Sequence, residues 1–532
     1  MTTLLRKVRK GFTQMARATR AEWELRAGCK VTGETGFAVQ AVRGWLRSLN
    51  SEYVPPVRGR ILITALRNRT WIEWAGYCAC VLRRQGWAAT LLYRGTQTRV
   101  LYRAPDPLNF WARLSEVPDL QRVDLDTIEV DEEAATRLLV VARSAAPATL
   151  AYDLHVEETD IVGNPERHGA ALAVAEQTYA HLGAALGVVL RGQSFTRFLC
   201  YSGLIAESPT LLAVAREHGL TTVCLENWGW RPGHMIYNLN APALEYNVAG
   251  WLRAAGEWDA TKEREVNAYL KFLDGGKATD AAWLDNFYRI QRDKVDAALP
   301  VTLREFLRGG EPVFVLAPNV IGDSSLLRRE TIFPGQQAWM LKLIQWFAER
   351  PNLKLVIRAH PAELWMGAKC SIHMGDVARA AASGAGNVHV LGSEDDVNTF
   401  SLVPYARAGL AWVSSAGVEF VVRGLPAIAA AAPKYGGLGI VEEPPTVDDY
   451  FASLQRHASA AGVERPKPEQ IFQGKRYLHM VFKGFSFEAT GRNFLGTGCV
   501  MGAMPNQPEH DRFYRILVGD EPMPDVVAEA DA

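Results

Sequence analysis

NLKLVIRAHPAEL, residues 352–364, combines an apolar run with a polar turn. Residues 353–358 are almost continuously apolar, which predicts a strand buried on both faces of a parallel sheet. Arg358, His360 and Glu363 follow at the point where that strand should end. Because ligands bind beyond the carboxyl ends of parallel strands, a cation and an imidazole here indicate a site for an anion such as a phosphate. In the alternative interpretation, His360 caps the turn and Arg358 pairs with Glu363.

The alternation of strands and helices continues on both sides of this stretch. Strand-like runs and helix-period stretches alternate over residues 60–94 and 195–226, and the pattern restarts at residue 313 after the linker LRGGEP. Such a pattern predicts parallel sheets built from strand–helix–strand units. No GxGxxG follows the first strand, so a dinucleotide site is not indicated. The sequence therefore predicts an α/β fold with two Rossmann-type domains whose parallel sheets face a central cleft.

Composition and charge exclude several classes of protein. The chain of 532 residues balances 58 Lys and Arg against 58 Asp and Glu, so it lacks the excess of cations typical of nucleic-acid binding. Its seven cysteines include no CxxC pair, which favours thiols in a reducing cytoplasm over zinc sites. No stretch approaches the roughly 20 apolar residues of a membrane span. We expect a cytoplasmic protein with no nucleic-acid partner, no metal and no other cofactor.

The first thirty residues carry a basic amphipathic pattern. Six Lys and Arg residues between positions 6 and 20 are interleaved with Leu, Val, Phe and Met. A helix of this kind can lie on the anionic inner face of a membrane as a peripheral contact. The alternative is a solvated helix that docks on the body of the protein or on a partner.

A second candidate site lies in LAWVSSAGVEFVVRGLPAI, residues 410–428. This pattern predicts a strand, a turn at Ser414 and Ser415, and a short helix. Hydroxyls and free main-chain N–H groups at a helix N-terminus bind anions. Glu419 lies four residues after Ser415 on the same helical face, where its carboxylate can accept hydrogen bonds from two ribose hydroxyls. These residues predict a nucleotide pocket, although an N-capped helix with an incidental glutamate fits the same pattern.

Four motifs follow one another in this half of the chain. They are LAPNVIGDSS (316–325), FPGQQAWMLKLIQWFAERPNLKLVIRAHPAE (333–363), DDVNTFSLVPYARAGLAWVSSAGVEFVVRGLPAI (395–428) and YGGLG (435–439). The ordered set resembles the capsule polysaccharide biosynthesis family of bacterial glycosyltransferases, over roughly residues 310–490. The resemblance implies a GT-B fold and a nucleotide-sugar donor, and it leaves the nucleotide open.

The resemblance also implies roles for individual residues at the carboxyl edge of the second sheet. His360 would contact the donor phosphate and act in catalysis, while Glu419 would bind the ribose. The implied nucleotide-sugar-binding residues are Arg358, His360, Glu363, Ser414, Ser415, Glu419, Asn319 and Asp323.

With the resemblance, the changes in composition divide the chain into four predicted parts. In GT-B proteins a C-terminal helix crosses back onto the first domain, and the aromatic and basic stretch 474–488 is its candidate here. The predicted parts are a basic helical N-terminal extension (1–55), an acceptor-side α/β domain (56–308), a nucleotide-sugar-binding α/β domain (309–472), and a C-terminal crossing helix with an acidic tail (473–532).

Transfer to an acceptor hydroxyl needs a general base, which the first domain would supply. Asp153 is one candidate because it belongs to a stretch dense in titratable side chains, for which a solvated loop is the alternative. Glu207 is another, because it follows a strand that should face the cleft. Trp228 and Trp230, which come after Glu226, would either stack on a sugar or pack between the domains. The titratable residues of the stretch 152–169 include Asp153, His155, Glu157, Glu158 and Asp160.

The sequence leaves three functions open. The first is a glycosyltransferase that moves a sugar from a nucleotide-sugar donor to a capsule-type polysaccharide or a lipid-linked acceptor. Such an enzyme needs no metal where helix N-termini, Arg358 and His360 offset the charge of the leaving group. The second is a nucleotide-sugar 2-epimerase or a glycerophosphotransferase on the same architecture. The third is a non-catalytic capsule assembly protein that works through its basic N-terminal helix.

Overall fold

The computed structural model describes residues 55–66, 69–101, 110–227, 234–274, 299–363, 372–484, 486–488, 508–521 and 523. The predicted basic N-terminal helix, Trp228 and Trp230 lie outside these residues, as does the last part of the acidic tail. The described residues form two sheets with helices around them.

Seven strands form the first sheet, in the spatial order β12-β6-β5-β4-β1-β2-β3 given by the bounds below. The strands from β5 to β3 in this order pair in parallel. The bounds are β1 (Gly59–Thr64), β2 (Trp87–Tyr93), β3 (Leu120–Asp124), β4 (Arg197–Tyr201), β5 (Thr221–Asn227), β6 (His234–Leu239) and β12 (Phe487–Glu488).

Two strands at one edge of this sheet contradict the prediction that the sheet is parallel throughout. Strand β6 pairs antiparallel with β5, and β12 pairs antiparallel with β6. Strand β5 ends at Asn227 and β6 begins at His234, and this connection is too short for the crossover that a parallel pair requires. The short connection forces the chain to return beside itself, so the first sheet is mixed.

Nine helices of the described residues accompany the strands of the first sheet. The two longest, α4 and α6, pack against each other, with the short α5 in the turn between them. The charged stretch 152–169, for which a solvated loop is the alternative to a catalytic role, therefore spans the end of α4, all of α5 and the start of α6. The bounds are α1 (Arg69–Arg84), α2 (Gly95–Leu101), α3 (Phe110–Arg113), α4 (Glu132–Leu154), α5 (Glu158–Val162), α6 (Pro165–Gly192), α7 (Ser208–Glu217), α8 (Val248–Ala254) and α9 (Ala260–Leu273).

Five parallel strands form the second sheet, in the order β11-β10-β7-β8-β9. Strand β7 is buried at every position and β8 at all but its first, as expected for strands covered on both faces. The predicted α/β fold with two Rossmann-type sheets is thereby confirmed. The bounds are β7 (Val313–Ala317), β8 (Lys354–Arg358), β9 (Val388–Leu391), β10 (Ala406–Ala411) and β11 (Ala427–Ala429).

The helices around the second sheet include the one whose period was clearest in the sequence. Met340, Leu343, Ile344 and Phe347 of α11 are all buried, as their spacing predicts. Gly424, at φ +80°, follows α13 and lets the chain turn sharply into β11. The bounds of these helices are α10 (Val301–Leu307), α11 (Gln336–Ala348), α12 (Met374–Ala381), α13 (Ala416–Val422), α14 (Val447–Ser459) and α15 (Pro468–His479). The last described helix, α16 (Pro508–Val518), packs against the first sheet instead.

The C-terminal segment returns to the first sheet. Helix α15 continues through a π-helical turn, Met480–Gly484, and the chain then adds β12 beside β6. Helix α16 packs against the first sheet. There, Arg197 Nε donates a hydrogen bond to the Val518 carbonyl at 2.6 Å. Across the ranges that the structure describes, no helix has both the length and the apolarity that crossing a bilayer requires.

Candidate functional site

Arg358 ends β8 and holds the loop that follows β9. Its side chain is 1% exposed, and its Nε donates to the Val397 carbonyl at 3.0 Å. Its Nη1 donates to the carbonyls of Ala359 and Gly392, and its Nη2 donates to Asp395 O at 3.2 Å. Four of the five guanidinium N–H groups thus bind main chain. Burial lowers the pKa of Arg358 to about 10. This geometry gives Arg358 a positioning role, and its contact with a phosphate stays a prediction.

His360 lies just beyond the end of β8, and its ring is half-buried. The main-chain N–H of Ala362 donates to Nδ1 at 3.1 Å. Burial, together with the nearby charge of Arg358, lowers the pKa of His360 to about 4. The imidazole is therefore neutral at neutral pH, and because Nδ1 is an acceptor, its proton resides on Nε2. His360 can thus donate one hydrogen bond to a ligand without carrying a charge.

Glu363 caps a helix and does not pair with Arg358. Its carboxylate is 2% exposed, and Oε1 accepts a hydrogen bond from the Met374 N–H at 3.0 Å. The preceding residue, His373, is the N-cap of α12 and gives no side-chain cap, so Glu363 supplies it. Burial raises the pKa of Glu363. Its predicted role beside a phosphate stays a prediction, while its structural role is to anchor α12 to the His360 turn.

The serine pair forms the turn that enters α13. Both side chains are half-buried, and the hydroxyl of Ser414 accepts a hydrogen bond from the Ala416 N–H at 3.2 Å. The Ser414 carbonyl accepts from the Gly417 N–H at 3.1 Å and from the Tyr435 hydroxyl at 2.6 Å. Ser414 therefore already satisfies part of the helix terminus. The binding of phosphate oxygens by Ser414 and Ser415 stays a prediction.

Glu419 lies one turn into α13 and faces the protein interior. Its carboxylate is 5% exposed and accepts a hydrogen bond from the hydroxyl of Tyr269, in α9, at 2.9 Å. Burial raises the pKa of Glu419, and Arg423 and Ser415 partly oppose this. The Tyr269 hydroxyl would compete with a ribose hydroxyl for Oε1 of Glu419. Ribose binding therefore stays a prediction, now with a named competitor.

Asn319 and Asp323 follow β7, as predicted, but they differ in burial. Asn319 is 8% exposed, and its Oδ1 accepts from the Val413 N–H at 3.3 Å, which ties the end of β7 to the end of β10. The Asn319 N–H and carbonyl both bind the side-chain amide of Gln336. Asp323 is exposed, and its Oδ1 accepts from the Ser325 N–H at 2.9 Å. Asn319 thus shapes the edge of the sheet, whereas the side chain of Asp323 is accessible to solvent.

A small pocket lies at this edge, between the α4–α5 turn and the loop after β7. Glu157 projects into it, and its carboxylate oxygens accept from the Gln337 N–H at 3.1 and 3.2 Å, which caps α11. Burial raises the pKa of Glu157 to about 7. The pocket lining includes Glu157, Glu158, Ile321, Asp323, Glu330 and Trp412. Glu157 is one of the five titratable residues that the sequence singles out in the stretch 152–169. No local pattern indicates that its partner, Gln337, lies 180 residues further along the chain.

The other carboxylates of the first half occupy different environments. Asp153 is exposed near the end of α4, whereas Glu207 is 8% exposed and immediately precedes α7. Glu226, at 6% exposure, accepts a hydrogen bond from the Tyr201 hydroxyl. The roles of Asp153 and Glu207 in catalysis stay predictions. In the described part of the chain, no group of three or more His, Cys, Asp or Glu side chains could hold a metal ion.

The family comparison matches the half that contains the second sheet. Residues 288–477, a little over a third of the chain, match the model of a family described as capsule polysaccharide biosynthesis protein. The resemblance predicted from the four motifs is thereby confirmed over this segment. No curated protein sequence matches the chain.

Several solved structures share a distant likeness with this chain. The β-Kdo 2,7 transferase KpsC of Thermosulfurimonas dismutans is 15% identical, with 55% of this chain and 79% of that chain covered, at a TM-score of 0.31. The UDP-GlcNAc 2-epimerase of Neisseria meningitidis is 12% identical, with 79% and 99% covered, at a TM-score of 0.24. CalG4, the calicheamicin glycosyltransferase, is 12% identical, with 80% and 95% covered, at a TM-score of 0.26. At these TM-scores none of the three assigns an activity to this chain.

Proposed function

We propose that this chain is a glycosyltransferase that uses a nucleotide-sugar donor in the synthesis of a capsule-type polysaccharide. The observation that carries the proposal is the family match over residues 288–477, because this segment contains every residue of the predicted nucleotide-sugar subsite. The acceptor would be a glycan or a lipid-linked glycan. The subsite would lie at the carboxyl edge of the second sheet, where β7 is the neighbour of both β8 and β10.

The proposed reaction transfers the sugar to an acceptor hydroxyl. A bond forms between the acceptor oxygen and the anomeric carbon, the bond from that carbon to the phosphate oxygen breaks, and the nucleotide leaves as an anion. The hydroxyl proton passes to a carboxylate of the first half, for which Asp153 and Glu207 remain the candidates. The Nε2–H of His360 would stabilise the leaving phosphate without a charge of its own. Arg358 and Glu363 would hold the His360 turn in place.

Replacement of His360 by alanine tests this proposal. Because the variant removes one hydrogen-bond donor to the leaving group, we expect turnover of the donor to fall by about 10²-fold or more. His389→Ala is the matched control, since His389 belongs to β9 and packs against Phe306 at 5.2 Å, away from the His360 turn. Near-normal turnover in His360→Ala, with folding confirmed by circular dichroism, contradicts the proposal.

A panel of nucleotides identifies the donor class and separates the alternatives. Thermal unfolding is measured with CMP, UDP, GDP, ADP and CDP-glycerol, since a ligand at a hundred times its Kd stabilises by about 2.7 kcal/mol. Stabilisation by CDP-glycerol alone favours a glycerophosphotransferase. Conversion of UDP-N-acetylglucosamine without any acceptor favours an epimerase. The absence of both binding and turnover favours a non-catalytic assembly protein.

A further inference from the structure

Two cations, Arg329 and Lys434, lie close together beside the proposed donor site. Lys434 follows β11, and Arg329 follows β7, so both belong to the carboxyl edge of the second sheet. The Ala432 N–H donates to the Arg329 carbonyl at 2.9 Å, which brings the two segments together. Within the described residues, neither side chain forms an ion pair, and the Arg329 guanidinium forms no hydrogen bond.

Lys434 spans the cleft between the two halves of the molecule. Its Nζ donates to the carbonyl of Leu244, in the segment after β6, and lies 5.5 Å from the ring centre of Tyr246. Burial and the charge of Arg329 lower the pKa of Lys434 to about 7, while the exposed Glu245 opposes this shift. A half-buried ammonium beside a guanidinium is costly without a counter-ion.

The residue that follows Lys434 contacts the turn formed by Ser414 and Ser415. Tyr435, the neighbour of Lys434, donates its hydroxyl to the Ser414 carbonyl at 2.6 Å. The Tyr435 ring also packs against Tyr477 at 5.5 Å between centroids, and both phenols are almost completely buried. A rigid aromatic wall therefore fixes Lys434 relative to Ser414. An anion held by the cations would therefore belong to the same edge of the second sheet as the serine turn.

We infer that Arg329 and Lys434 form a subsite for an oxyanionic group, a phosphate or a sugar carboxylate, on the donor. This inference rests on the proposed function for the identity of the donor, and it adds a charge requirement that the predicted subsite lacks. The predicted subsite contains one arginine, whose N–H groups are largely committed to main chain. Lys434 and Arg329 supply the positive charge that a multiply charged donor needs.

The test compares the wild-type chain with the double variant Arg329→Met/Lys434→Met. Thermal unfolding is measured with inorganic phosphate, CMP, UDP and glucuronate, and with cytidine, uridine and glucose as uncharged counterparts. We expect at least one oxyanionic probe to stabilise the wild type, and its affinity to fall at least roughly tenfold in the double variant. Loss of the phosphate and nucleotide shifts identifies the phosphate as the group bound, and loss of the glucuronate shift identifies a sugar carboxylate.

Arg328→Met is the matched control, because Arg328 is the adjacent cation but donates its Nη2 to the Ser144 carbonyl at 2.7 Å. Its affinity for the same probe should equal that of the wild type. Without ligand, Lys434→Met should unfold at the same temperature as the wild type or a higher one, since it removes an uncompensated charge. Equal affinity in wild type and double variant, or no stabilisation by any oxyanionic probe at millimolar concentration, overturns the inference. Oxyanion binding that depends on the two cations, combined with no sugar transfer by the wild type, would retain the subsite and reject the transferase.

Discussion

At the scale of single residues, His360 lies beside a cation and has a neutral ring. An imidazole beside an arginine and just past a buried strand is desolvated and repelled, so its charged form is unfavourable. The Ala362 N–H also occupies Nδ1, which fixes the tautomer. The sequence predicts that His360 meets an anion, and the lowered pKa and the tautomer predict that it would do so as a neutral donor.

This protonation state leads to a prediction about pH. The pKa of His360 lies at about 4, below that of an ordinary histidine, so the residue is neutral throughout pH 6–8. The ratio of nucleotide-sugar affinities between wild type and His360→Ala should therefore stay constant over this range. Titration calorimetry at several pH values measures the ratio, which cancels the titration of all other groups. A ratio that rises as the pH falls from 7 to 6 would show that His360 becomes charged in that range.

Arg358 is a second single residue with a large structural effect, because its guanidinium holds the whole loop after β9. A lysine retains the charge but cannot reach four carbonyl oxygens with one ammonium. We expect Arg358→Lys to lower the free energy of unfolding by about 2 kcal/mol, since buried carbonyls lose their donors. Hydrogen exchange should accelerate in residues 392–397 and little in β8. Unchanged exchange in that loop would indicate that Arg358 has no positioning role.

At the scale of elements, the sequence readily predicts the second sheet, but it does not predict that α4 packs against α6. Strands such as β7 are apolar throughout because both faces are covered, and α11 shows a clean period of buried residues. Helix α4 instead packs alanines, such as Ala145, Ala146 and Ala148, whose small contrast in hydropathy leaves a weak periodic signal. Periodicity therefore does not indicate the contact of α4 with α6, and it leaves a solvated loop as the alternative for the charged end of α4.

The candidate site shows the same limit. The sequence places His360, Ser414 and Asn319 after strands, and topology then puts them at one edge of the sheet. The pairs Glu419–Tyr269 and Glu157–Gln337 join residues 150 and 180 positions apart. Such pairs depend on how the elements pack, which no local pattern encodes. For the same reason, no local pattern in the sequence indicates that Arg329 and Lys434 lie close together.

The cap that Glu157 places on α11 predicts a pH dependence of stability. The pKa of Glu157 is about 7 in the folded protein and ordinarily 4.5, so between these values the folded state holds a proton that the unfolded state has lost. Its contribution to stability is therefore fully present below pH 4.5 and is lost as the pH rises through 7. Relative to Glu157→Gln, the wild type should lose about 2 kcal/mol of unfolding free energy between pH 5 and 8.

Urea unfolding of both proteins at the two pH values measures this difference. Glu157→Gln retains a side-chain carbonyl that can cap α11, and it removes the carboxyl that Asp160 and Glu330 repel. The common dependence on pH of all other groups cancels in the comparison. Parallel pH profiles for wild type and variant would place the pKa of Glu157 near that of an exposed glutamate.

At the scale of the whole molecule, the two halves are held together by side chains from several elements. Glu157 reaches α11 from the α4–α5 turn, and Tyr269 reaches α13 from α9. Lys434 reaches the segment after β6 from the other side. Each of these residues lies beside the proposed donor site. The cleft is thus lined by the same contacts that fix the halves, and a substrate that enters it must compete with some of them.

The position of β12 has a consequence for synthesis of the chain on the ribosome. The main-chain edge of β6 at its start, His234 and Met235, is covered by Glu488 and Phe487, which are made roughly 250 residues later. At typical elongation rates this interval lasts on the order of 10–50 s. During that time the nascent first half has an open sheet edge, which readily pairs with other chains. The newly made protein therefore depends on its own C-terminal segment, or on a chaperone, to cover this part of the sheet edge.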